Sequence, residues 1–155
     1  MTVVVPAGLS LLEAARWVGE SCWLELNAYE LLTATLLDSE IGATGRVAVW
    51  TVRAHRGEMA EAWNRRLPEL AEHARSSFVA APPDVDLSQG SPHQEPPMHF
   101  EEVIDLLEGL DQRYASHQGV AVGTADGPVS ETLDVARRRL TGDVAQLAPL
   151  VAPTL

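Results

Sequence analysis

The chain has 155 residues, the length of one compact domain, with 46% hydrophobic and 21% charged residues and a net charge of −11. A chain of that size can bury roughly two-thirds of its unfolded surface in a single core. The acidity argues against binding nucleic acid or anionic lipid, both of which draw on clustered basic side chains; the one run of three is Arg137, Arg138 and Arg139.

All 11 basic residues are arginine, which, with abundant Ala, Val, Gly and Pro, points to coding from GC-rich bacterial DNA. The single cysteine, Cys22, excludes an internal disulfide and a multi-cysteine zinc site. It falls in an apolar stripe, where a buried, inert thiol is expected. The first basic residue is Arg16, and no apolar run approaches the roughly 18 residues that would span a bilayer. A cytoplasmic protein is the expectation.

The first helix is predicted from Ser10 to about Leu37, opening on a capping box between Ser10 and Glu13. Its main stripe is Leu11, Ala15, Val18, Cys22, Leu26, Tyr29, Thr33 and Leu36, at helical three- and four-residue spacing. Trp17, Leu24 and Leu31 recur every seven residues on another face. That face either meets a helix of the same bundle or forms the interface of a homodimer. Ile41 to Gly45 reads as a tight turn.

The second helix is predicted from Arg46 to Arg75, with a kink or break at Pro68. Its stripe is Val49, Val52, Met59, Trp63 and Leu67, and Arg56 sits inside it. A charge on a core stripe needs a partner. Residues 78–97, with five prolines, read as a long crossover anchored by Phe78 and Val79, or as a mobile linker.

The third helix is predicted over about 99–117, with Phe100, Val103, Ile104, Leu107, Leu110 and Tyr114 on its stripe. The acids Glu102, Asp105, Glu108 and Asp111 read mostly as a solvated face. The fourth is predicted over about 129–147, with Val129, Leu133, Ala136, Leu140, Val144 and Leu147 inward and Pro128 suited to its first turn. His73, His93 and His117 are expected at the surface, and Trp50 and Trp63 are expected to bury most of their rings. The fold class is therefore all-α, an up-down-up-down four-helix bundle with a long proline-rich crossover between the second and third helices.

A turn centred near residues 41 and 42 sets residues whose numbers sum to about 83 at one height. Glu25 then lies level with Glu58, with His55 one turn away, and Glu30 lies near Arg53 and Arg56. At this point the chain resembles the ferritin-like superfamily, four-helix bundles with one long crossover. The resemblance implies an iron or manganese pair held by a Glu from one helix and a Glu-x-x-His from the other helix of each pair. This chain departs from that pattern. His55 and Glu58 stand in the reversed order, no Glu-x-x-His occurs, and the fourth helix offers Arg137, Arg138 and Arg139 at its centre.

Two arginine–carboxylate pairs are expected in place of a metal centre. Arg56 would meet Glu25 or Glu30, and Arg137 would meet Asp111, which a turn near residue 124 sets at the same height. Replacing Arg56 by Met would then be tolerated, while Arg56→Ala would strand a carboxylate. No phosphate-binding glycine loop or nucleophile elbow is found, and no catalytic residue is assigned. The function expected is binding of a partner protein or a small apolar ligand, without a cofactor. The alternative is a metal-dependent oxidoreductase or metal-storage protein using Glu25, His55 and Glu58.

Overall fold

The computed structural model describes residues 2–38, 40–87 and 96–151. Four helices carry the fold: α1 (Leu11–Leu36), α2 (Ala43–Arg66), α3 (Phe100–Val120) and α4 (Gly127–Leu147). Contacts pair α1 with α2, α3 with α4 and α2 with α4, and each of these pairs is antiparallel. None of the helices is long and apolar enough to cross a membrane.

Ser10 caps α1 as its sequence requires, its side chain accepting from the Glu13 amide while the Glu13 carboxylate returns to the Ser10 amide. α2 starts three residues before the predicted Arg46 and ends at Arg66. Leu67 adopts φ −64° and ψ 126°, the extended conformation that a following proline imposes. The predicted continuation to Arg75 is replaced by an irregular stretch and a short 3₁₀ turn at Arg75–Phe78. Phe78 is buried and Val79 is packed against the core, so the described part of the crossover is anchored on the bundle. Residues 88–95, which include His93, lie outside the described residues.

The direction of the helices differs from the predicted order. Arg66 bonds Thr132 and Arg56 bonds Asp143, so α4 opposes α2. Trp17 stacks on His117 while Met98 donates to Thr35, so α3 opposes α1. The chain thus runs up, down, down, up. Short loops force antiparallel neighbours, whereas the segment between Arg66 and Phe100 is long enough to return to the far end and start α3 parallel to α2.

Gly19 explains how the crossover comes so close. A Cβ there would lie 1.9 Å from the Phe78 carbonyl oxygen, a backbone atom that moves only with the whole turn. Overpacking of this kind costs up to about 3 kcal/mol, against a helix-propensity gain of up to about 1 kcal/mol for Ala over Gly. Gly19→Ala is accordingly expected to lower the unfolding free energy by about 2 kcal/mol in urea titrations. A neutral or stabilising result would mean that the 75–78 turn does not rest on α1.

The buried face of α1 follows the predicted stripe through Ala15, Val18 and Cys22 and then leaves it. It continues through Glu25, Ala28, Leu32 and Thr35, in steps of three, three, four and three from Cys22, so that it addresses α2 and α3 together. Leu11 and Leu26 are left exposed. Trp50 is 59% exposed, against expectation, because it lies off the α2 stripe; Trp63 is fully buried.

Candidate functional site

A polar cluster occupies the middle of the bundle. Arg56, fully buried on α2, extends one guanidinium nitrogen to both carboxylate oxygens of Glu25 on α1, each at 3.1 Å, and the other to Asp143 on α4 at 3.0 Å. Glu25 also accepts from the Tyr114 hydroxyl of α3, and Tyr114 accepts from the Trp63 indole at 3.1 Å. Asp143 is further held by His55, whose Nδ1 lies 2.6 Å from the second carboxylate oxygen. All four helices contribute.

Each member reaches the centre because it stands where an apolar side chain belongs. Glu25, Arg56, Tyr114 and Asp143 are all at stripe positions of their helices. Burial pushes the Glu25 carboxyl above its ordinary range, and the Arg56 charge offsets part of that shift. The Tyr114 hydroxyl is raised well above its usual value, first by burial and then by the Glu25 charge beside it. Tyr114 therefore stays protonated and serves as a donor. Among the buried side-chain polar atoms of the cluster, only the Arg56 Nε has no partner.

The expected site residues separate into groups. Glu25 and Arg56 are brought together. Arg56 reaches Asp143 besides, while Glu30 sits half-buried elsewhere on α1. Arg53, expected near Glu30, donates to Thr33 and lies over the Tyr29 ring. Arg137 and Asp111 meet through two bonds of 2.8 and 3.2 Å, but on the bundle surface, with about a third of each side chain exposed.

The three candidate metal ligands do not converge. Glu25 is engaged by Arg56 and Tyr114, His55 faces Asp143, and Glu58 pairs with Arg139 at the surface. Among the described residues no group of three or more His, Cys, Asp or Glu is placed to hold a metal ion.

Asp143 and His117 are buried outside the expected set. Asp143 lies three residues after Leu140 and four before Leu147, the same charge-on-a-stripe signal that Arg56 gave. His117, expected at the surface, is fully buried three residues beyond Tyr114, because α3 continues to Val120. It stacks on Trp17 at 4.9 Å between ring centres and on Trp63 at 5.9 Å, and neither ring nitrogen has a hydrogen-bond partner. Burial, helped by the Arg113 charge, lowers its pKa from 6.5 to about 4, so the ring is neutral.

Of the Trp17, Leu24 and Leu31 face, Trp17 and Leu24 are used within the chain. Trp17 stacks on His117 and lies under the Arg113 guanidinium, which itself pairs with Glu20 at 2.7 Å. Trp17 and Leu24 also form one wall of a groove of about 440 Å³, closed by Leu106 and Leu110 of α3 and by Pro82 and Val85 of the crossover. Comparison of the chain with protein-family models, with curated proteins and with solved structures finds no match in any of the three.

Proposed function

We propose that the protein is a metal-free bundle of ferritin-like kind that binds a small, largely apolar molecule rather than carrying out redox chemistry or storing metal. The single long crossover between α2 and α3 supports the ferritin-like reading, since that connection characterises those bundles. The Arg56 guanidinium supports the metal-free reading. It stands among Glu25 and Asp143, and an ion would have to displace it from two buried carboxylates.

The observation that carries the binding reading is the groove between α1, α3 and the crossover. Its volume falls in the range of small-molecule sites, roughly 300–1,000 Å³, and its lining is largely indole, leucine, proline and valine, with Asp84, Asp105, Arg113 and Ser116 alongside them. A homodimer through Trp17, Leu24 and Leu31 is not carried into this proposal, because Trp17 and Leu24 already face α3 and the crossover.

Gly109 supplies the test. It lines the groove, and a Cβ there meets nothing within 4 Å, so Gly109→Phe fills the groove without disturbing the core. Saturable binding of the neutral dye Nile red is expected for the wild-type chain, weakened at least about tenfold in Gly109→Phe by lost apolar contact. Equal dye binding by the two proteins would overturn the reading.

A further inference from the structure

A second cavity, at the opposite end of the bundle from the α3–α4 turn, has a different chemistry. It has a volume of about 370 Å³ and lies where the α1–α2 turn, the start of α3 and the end of α4 meet. Ile41, Met98, Phe100 and Leu150 line it, all of them packed against the core. Two features fix this lining in place. The Met98 amide donates to the buried Thr35 hydroxyl at 3.1 Å, and the Phe100 ring sits so close to α2 that a Cβ on Gly45 would lie 2.6 Å from its tip.

The rim is as one-sided as the floor is apolar. Asp38, Glu40 and Glu101 all border the cavity, with His99 beside them, and no lining residue is an arginine. The Arg46 guanidinium, which bonds the backbone of two lining residues, is turned to the carbonyls of Leu36, Asp38 and Ile41 rather than to a carboxylate. An apolar floor and three carboxylates complement a molecule with an apolar body and a single positive charge. We infer that this end pocket is a binding site for a small organic cation, an amine or quaternary ammonium carrying an alkyl or aryl group. The floor gives the contact area, and the carboxylates exclude anions of the same shape. The site is separate from the groove beside Trp17, so each reading stands or falls without the other.

Two ligands of one shape separate this inference from general stickiness. Hexyltrimethylammonium bromide and sodium hexyl sulfate are titrated into the wild-type chain and followed by amide chemical shifts. The cation is expected to bind saturably, with shifts among the described residues confined to 35–38, 40–42, 98–102 and 150–151, and to weaken as salt screens the rim. The sulfate is expected to leave those amides unmoved, and tetramethylammonium, which lacks the apolar body, to bind at least about tenfold more weakly.

The triple variant Asp38→Asn, Glu40→Gln, Glu101→Gln changes only rim side chains and is expected to lose about tenfold in affinity for the cation. Glu101→Gln alone, expected to lose about threefold, serves if the triple variant folds poorly. Equal binding of cation and sulfate, shifts scattered over the acidic surface, or unchanged affinity in the neutral variants would overturn the assignment.

Discussion

Arg56→Ala is expected to lose about 4 kcal/mol of unfolding free energy in urea titrations at neutral pH. The loss does not equal the worth of the ion pairs. It is the penalty of leaving Glu25 and Asp143, both buried, without the cation that faces them. Burial already raises the Glu25 carboxyl, and removing the guanidinium raises it further. A carboxyl raised in the folded state stabilises the fold as pH falls through that value, so the deficit of Arg56→Ala is expected to shrink at pH 5.

The structure also changes the expectation for Arg56→Met. Methionine fills the space of the guanidinium's stem but carries no charge, so it leaves both Glu25 and Asp143 buried and adjacent to apolar atoms. Arg56→Met is therefore expected to fall within about 1 kcal/mol of Arg56→Ala. Adding Glu25→Gln and Asp143→Asn to Arg56→Met removes the stranded charges while keeping an acceptor for Tyr114. This triple variant is expected to return to within about 1 kcal/mol of wild type. If it is no more stable than Arg56→Ala, the deficit comes from lost packing around the guanidinium and the electrostatic account fails.

What the sequence disclosed depended on how far apart in the chain the partners stand. Glu25 and Arg56 flank one short turn, so counting from that turn set them at one height, and the structure pairs them at 3.1 Å. Asp111 and Arg137 flank the other turn and also meet. No turn joins α2 to α4, so no such ruler reaches Asp143, and its position on the α4 stripe was the only signal available. The same gap hid the helix order, since a connection from Arg66 to Phe100 permits either direction for α3. The break at Pro68 was legible because proline acts on its own neighbour; the close approach of Phe78 to Gly19 was not, because it joins segments that no local rule connects.

His117 makes the fold acid-sensitive in a window that can be named. The unfolded histidine has its ordinary pKa of 6.5, while burial holds the folded one at about 4. Above pH 6.5 both states are neutral and the full stability is present. As pH falls from 6.5 to 4 the unfolded chain takes up a proton that the folded chain refuses, so stability is lost, by about 3 kcal/mol in all, and the loss levels off below pH 4. Physically, the ring stacks on both Trp17 and Trp63, and no acceptor receives a hydrogen bond from either nitrogen. Of the charged groups that act on it, Arg113 opposes protonation and Asp126 favours it more weakly. The measurement is the difference between wild type and His117→Phe, which cancels the other titrating groups and keeps an aromatic ring against the two indoles. That difference is expected to move by about 3 kcal/mol in favour of the variant between pH 6.5 and 4. A difference that stays flat across the window would mean that the ring is solvated or finds an acceptor, and that the α1–α3 contact does not depend on its neutrality.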